Sequence, residues 1–265
     1  MFEELLGSWI REHGSIPVIA SGMIGSRQGW IEAPYLDCPA GPDELAGHLT
    51  YVDINSNILN NSPIMAIVPG IKLFEKGVPD VMRGEETQVA GLIWSKQQSG
   101  LCVLPGTHSK WVFTKNGRIE TFTTFMSGEL FAVMVEHSIL NRLMDGKSFN
   151  KDAFLIGCNQ SLNSSYGILK QIFSARTMGL FEKLEPKGIH SYLSGIIIGY
   201  EIKEGLDIYF KNKSFKGKKV ILIGEISLCN LYRMAFEIVG VKVKLGKNNL
   251  VTKGLFQIAK AASLN

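Results

Sequence analysis

Apolar residues recur along this chain in two rhythms, and the alternation between them predicts its elements. Phe2, Leu5, Leu6, Trp9 and Ile10 fall at helical spacing, so residues 2–12 read as an amphipathic helix. Short unbroken apolar runs at Ile16–Ala20 and Ile64–Pro69 read as buried strands, and Pro42–Leu49 as a short helix. Glu85–Ser95 is predicted helical, with Val89, Ala90, Leu92 and Ile93 inward. Leu101–Leu104, Lys110–Thr114 and Arg118–Thr124 are strand-like, and Lys115-Asn116-Gly117 between the last two is a hairpin turn. Helical periodicity then dominates, over Gly128–Met144, Lys151–Leu162, Ile168–Met178 and Ser191–Gly205. Val220–Ile223 is a buried strand, followed by Gly224 and a helix through Leu228–Val239. Val241–Leu245 is a further strand and Leu255–Ala262 a closing helix. Strands alternating with helices predict an α/β protein. The polar run Ser95–Gly100 separates two apolar segments and marks a boundary between a first domain, 1–98, and a second, 99–265.

Composition narrows the class. With 265 residues, 45% hydrophobic and 20% charged, the chain is an ordinary globular protein with a sizeable core. Its net charge of +4 is mild. Lysines thicken late (Lys203, Lys211, Lys213, Lys216, Lys218, Lys219, Lys242, Lys244, Lys247), yet no aromatic platform is interleaved with them. They read as a solvated surface, so no nucleic-acid partner is expected. The four cysteines show no CxxC spacing, and Cys102 and Cys229 sit in apolar runs as small buried hydrophobes. Met1–Arg11 carries Glu3 and Glu4 and does not resemble a signal peptide, and no apolar run approaches a membrane span. A cytoplasmic protein without a membrane partner is expected; self-association is left open.

Three segments offer chemistry. In Arg83-Gly84-Glu85-Glu86-Thr87 two carboxylates stand beside a guanidinium at a predicted helix start. They could simply complement the helix dipole; equally, one could take a proton from a substrate hydroxyl while Arg83 binds an anionic group. Gly106-Thr107-His108-Ser109-Lys110 is a turn between apolar strands, with a glycine for close approach, two hydroxyls and a cation. Such a tip can cradle phosphate oxygens or be only a polar hairpin, and it is not a GxxxxGK[ST] loop. Ser21-Gly22-Met23-Ile24-Gly25-Ser26 follows a strand and, with Trp30, Glu32 and Tyr35, can line a pocket for a polyhydroxylated ligand, or be a loop packed by its aromatics. Gly224 and Glu225, between strand and helix, could seat a nucleotide base or ribose, a weaker signal.

Together SGMIGSRQGWIEAPY (Ser21–Tyr35), MRGEETQ (Met82–Gln88), LPGTHSKW (Leu104–Trp111) and FMSGELF (Phe125–Phe131) resemble, in order and over essentially the whole chain, the 2-dehydro-3-deoxygalactonokinase family. The resemblance implies phosphorylation of 2-dehydro-3-deoxy-D-galactonate on its terminal hydroxyl by ATP with Mg2+, in sugar-acid catabolism. It implies an actin-like, ribonuclease-H-like two-domain kinase fold. Glu85 would be the general base, with Glu86 as the alternative. Ser21, Gly22, Met23, Gly25, Ser26, Trp30, Glu32 and Tyr35 would line the sugar-acid pocket, with Arg83 near the substrate's carboxylate or the transferred phosphate. Gly106–Lys110 would be the second phosphate-binding hairpin, with Gly128, Gly224 and Glu225 also on the nucleotide side. Metal ligands are not implied. The family's Asp-x-Gly-Thr hairpin does not occur in the 265 residues. The expectation is therefore a first domain lacking its start, with a non-catalytic sugar-acid-binding protein of kinase descent as the second reading and a carboxylate-dependent nuclease as a distant third.

Overall fold

A computed structural model describes residues 2–14, 16–53, 64–75, 77–93, 99–210 and 219–264. Helix α1 (Phe2–His13) leads to β1 (Val18–Ala20), a 3₁₀ turn (Met23–Gly25), β2 (Tyr35–Asp37), α2 (Pro42–Ala46) and β3 (Thr50–Asp53). Strands β4 (Ile64–Ile67), β5 (Gly70–Glu75) and β6 (Val78–Met82) precede α3 (Glu85–Ile93). Then come β7 (Gly100–Leu104), β8 (Ser109–Lys115), β9 (Arg118–Phe125) and α4 (Ser127–His137). After a second 3₁₀ segment (Ile139–Leu143) follow α5 (Lys151–Asn163), α6 (Ile168–Leu180) and α7 (Pro186–Phe210). The chain continues through β10 (Lys219–Leu222), α8 (Ile226–Ile238), β11 (Lys242–Leu245) and α9 (Leu250–Ala261). The fold is mixed α/β, as the alternating pattern predicts.

Two compact units result. One gathers Met1–Gly100, Val112–Phe122 and Lys247–Asn265; the other gathers Leu101–Trp111 and Thr123–Gly246. The predicted boundary run begins at Ser95 within 94–98, which lie outside the described residues.

In the first unit β4 pairs parallel with β1 and antiparallel with β3, while β5 pairs parallel with β2 and antiparallel with β6. Helix α9 packs on α3 at glycines: a Cβ on Gly91 would lie 2.1 Å from the Leu250 carbonyl oxygen, and one on Gly254 1.9 Å from that of Thr87. Only residues without a Cβ permit that approach.

A five-stranded sheet runs in the order β11-β10-β7-β8-β9, with β10 parallel to both neighbours. The β8–β9 turn has Asn116 at φ 52° and Gly117 at φ 78°. Positive φ at both central residues is the type I′ geometry that matches strand twist. In the second unit α7, buried along most of its 25 residues, packs against α5. No described helix is long and apolar enough to cross a membrane. The predicted helix over Gly128–Met144 is shorter in the structure. It stops at Ser138, whose extended backbone starts the 3₁₀ segment and whose hydroxyl accepts from the Leu140 N–H (3.1 Å). A hydroxyl that caps the next turn ends the previous helix.

Candidate functional site

In the first unit the predicted acid/base run and the predicted pocket loop meet. Gly22 (φ 86°) and Gly84 (φ 112°) both use the left-handed region, and a Cβ on Gly84 would lie 3.2 Å from the Gly22 Cα. The loop therefore abuts the turn that starts α3. Arg83 stacks on Tyr35, its guanidinium carbon 4.1 Å from the ring centroid. Its Nε donates to Tyr35 Oη (3.3 Å) and its Nη2 to the Ala33 carbonyl (2.8 Å). Arg83 Nη1 and Ser26 Oγ are both buried without a hydrogen-bond partner, and a Cβ on the intervening Gly25 would lie 3.1 Å from Nη1. Buried donors left in that state mark a place where an anionic or hydroxylated ligand would be welcome. Met23, Trp30 and Glu32 lie on the outer side of the loop, Glu32 paired with Arg27 at 2.9 Å.

The two carboxylates differ sharply. Glu85 is half-buried, and one of its oxygens accepts from the Arg83 N–H (3.1 Å). Glu86 is fully buried, accepting from the Gly84 N–H (2.6 Å) and the Thr87 hydroxyl (3.1 Å). Burial, with a smaller contribution from the charge of Glu85, pushes the Glu86 carboxyl up to about 7. That value suits a general base, but a group with no exposed surface cannot reach a substrate hydroxyl. Accessibility favours Glu85.

In the second unit the turn between β7 and β8 opens onto a cavity of about 800 Å³, within the range of small-molecule sites. Gly106, Thr107, Gly128 and Glu225, from three distant segments, all line it. Helix α4 docks directly on the turn: the Glu129 N–H donates to the Thr107 carbonyl (3.0 Å), and a Cβ on Gly128 would lie 2.3 Å from the Gly106 carbonyl oxygen. The N-cap of α4, Met126, provides no side-chain cap, and Ser127 and Gly128 of its first turn line the cavity beside the turn. The other helix start at the cavity is different. Glu225 caps α8 by accepting from the Ser227 and Leu228 N–H groups (both 2.9 Å). The Ser227 hydroxyl and then those N–H groups hold its carboxyl below the usual range. An anionic cap repels phosphate but accepts readily from hydroxyls, so this wall suits a ribose. Gly224, at φ 150°, lies behind it against Pro105.

The rest of the predicted turn points elsewhere. His108 Nε2 lies 2.5 Å from the Glu129 carboxylate. Ser109 and Lys110 belong to β8 and are buried, at 0% and 5% exposure, so neither stands at an open tip. Ser109 Oγ instead lies 3.0 Å from Tyr232 Oη, and Tyr232 donates to Glu201 (2.5 Å). Glu201 on α7 also accepts from the Trp111 indole N–H (2.8 Å) and from the Ser127 hydroxyl, with the Ser109 hydroxyl nearby. Burial moves its carboxyl upward while these donors oppose the shift. Sequence reading missed Glu201. The signal was present: Ser194, Ile197, Ile198, Glu201 and Gly205 share one helical face, placing a carboxylate on a buried stripe. His190, on another wall with Phe131, Phe149 and Lys147, is pushed toward its neutral form by burial and then by the Lys147 charge. Among the described residues no three His, Cys, Asp or Glu side chains cluster as a metal cage.

Comparison with known proteins follows the same line. Residues 1–258 match the family model described as 2-keto-3-deoxy-galactonokinase. A protein of Rhizobium meliloti (strain 1021), named a probable 2-dehydro-3-deoxygalactonokinase, is 36% identical over 252 residues, spanning 93% of this chain and 78% of its own. The 2-dehydro-3-deoxygalactonokinase of Escherichia coli (strain K12) is 33% identical over 240 residues, spanning 91% of this chain and 76% of its own. A crystal structure from Sinorhizobium meliloti, described as that of a candidate 2-dehydro-3-deoxygalactonokinase, superposes with a TM-score of 0.85 at 33% identity, covering 98% of this chain and 85% of that one. With its family model matched almost end to end, the chain belongs to the 2-keto-3-deoxy-galactonokinase family.

Proposed function

We propose that the protein transfers the terminal phosphoryl group of ATP to the terminal hydroxyl of 2-dehydro-3-deoxy-D-galactonate, on an actin-like, ribonuclease-H-like kinase fold, in cytoplasmic sugar-acid catabolism. The observation that carries this reading is the cavity in which the Gly106-Thr107 turn meets the first turn of α4, in a chain of this family. Backbone donors and a helix N-terminus are suited to phosphate oxygens. The apolar wall with Phe149 suits a base, and the Glu225 side suits ribose hydroxyls. In the first unit Arg83 would hold the acid's carboxylate, aided by Tyr35 and the Ser21–Ser26 loop, and Glu85 would accept the hydroxyl proton.

Magnesium would accompany the nucleotide, neutralising phosphate charge when bound. It keeps several waters and needs only one or two carboxylates beside the phosphates. Described residues without a three-ligand cluster are compatible with that, and no side chain is assigned to the metal. Catalysis then consists mainly of positioning and charge stabilisation around an in-line transfer.

A coupled assay of ADP release with 2-dehydro-3-deoxy-D-galactonate, ATP and magnesium tests the proposal. Acid-dependent turnover is expected. Calorimetric binding of the acid with no detectable binding of ATP would overturn it in favour of a binding protein.

A further inference from the structure

Glu201 stands behind the phosphate turn, 2% exposed, at a point where α7, β8, α8 and the start of α4 converge. Its neighbours on the helix, Ile197, Ile198 and Ile202, are buried and apolar. A carboxylate is costly there, and simple space-filling would be served by an apolar side chain. What a carboxylate adds is direction, because it can only accept hydrogen bonds. Tyr232 gives its single proton to Glu201 (2.5 Å), so toward Ser109 it can only accept (3.0 Å). Ser109, its proton committed, presents lone pairs to the Gly106 N–H (3.4 Å). The last member of that chain is the glycine of the turn that lines the cavity. A second line ends at the same place: Ser127, also held by Glu201, precedes Gly128, which lies against Gly106.

We propose that Glu201 is a positioning residue for the nucleotide's phosphates, fixing the polarity of the chain from Gly106 through Ser109 and Tyr232 and so holding the Gly106-Thr107 backbone toward the cavity. This rests on the reading of that cavity as the nucleotide site. Glu201 touches no substrate and acts only through these intermediates. A neutral amide at 201 has both a donor and an acceptor, so it no longer dictates which way Tyr232 and Ser109 point. The turn then loses its fixed orientation although the core keeps its volume.

The test uses Glu201→Gln and Tyr232→Phe in the full chain, with affinities for ATP plus magnesium and for 2-dehydro-3-deoxy-D-galactonate measured separately by calorimetry. Each substitution should weaken ATP binding about tenfold, the scale of one hydrogen bond to a charged group, while acid affinity stays within about twofold. The double variant should be no worse than the weaker single, since both break one chain. Unchanged ATP affinity in both variants overturns the proposal. So does an equal loss for both ligands with a lowered melting temperature, which is what general core damage would give. If Glu201→Gln does not fold, Tyr232→Phe decides alone, because it removes one oxygen and keeps the ring. Wild-type protein that binds ATP without phosphorylating the acid sinks the kinase reading but leaves the ATP affinities to decide this one; wild-type protein that binds no nucleotide overturns both.

Discussion

Replacing Glu86 by glutamine separates the two carboxylates at the start of α3 without opening a hole. The amide oxygen can keep the Gly84 N–H bond, and the Thr87 hydroxyl, which can donate or accept, can face the new NH₂ group. Glutamine is thus a permanent copy of the protonated acid. In the native protein the Glu86 carboxyl is raised from an ordinary 4.5 to about 7, so the folded state holds this proton more tightly than the unfolded chain does. The linked stability is fully present below about pH 4.5 and is lost as pH climbs through about 7. At about 1.4 kcal/mol per pKa unit, that interval corresponds to about 3 kcal/mol. Glu86→Gln should therefore match the wild type near pH 4.5 and exceed its stability by up to about 3 kcal/mol at pH 8.5. Thermal unfolding followed across that range gives the comparison, with a gap of several degrees expected at the alkaline end. A difference between the two proteins that does not change with pH would refute the perturbed ionisation. With Glu85 as the proposed base, turnover at pH 8 should stay within a few-fold of wild type.

Glu85→Gln should lower kcat on the order of 100-fold while the acid's KM changes only a few-fold; near-full steady-state activity would remove Glu85 from the mechanism. Arg83→Lys exchanges a planar fork stacked on Tyr35 for a point charge, so KM for the acid should rise about tenfold with KM for ATP unchanged, and equal changes in both would refute a role specific to the acid. Gly128→Ala places a methyl 2.3 Å from the Gly106 carbonyl oxygen and must displace the turn. Its ATP affinity should fall about tenfold or more by calorimetry, and an unaltered affinity would mean that the turn does not contact the nucleotide.

Much of the fold is legible in the sequence because its long elements are strongly patterned. The Asn116-Gly117 hairpin is read from two residues that tolerate positive φ, and the structure uses both. Strands β5 and β6 are not legible. Phe74 and Val78 are 60% and 70% exposed, and Pro79 within β6 argues against a strand. The pairing of β5 with β2 on one side and β6 on the other, not an apolar run, makes them strands. At the candidate site, the sequence identifies residue types that suit phosphate but not their exposure. Ser109 and Lys110 look like tip residues because they follow Gly-Thr-His, yet β8 begins at Ser109 and takes both into the interior. Glu201 is harder to read for the opposite reason: its place on an apolar stripe of α7 is legible, but only packing reveals that every side of it is covered.

The packing of α9 on α3 bears on how the protein is made. Helix α3 carries Glu85 and Glu86, and the residues it closes against at Gly91 and Thr87 lie in Leu250–Ala261. About 160 residues separate the two helices, an interval of roughly 8–30 s at about 5–20 residues per second of synthesis. The unit formed by Leu101–Trp111 and Thr123–Gly246 is translated entirely within that gap and can fold before its neighbour is complete. A chain ended after Gly246 and before Leu250 would therefore contain every residue that lines the cavity of the second unit, with α3 still lacking its cover.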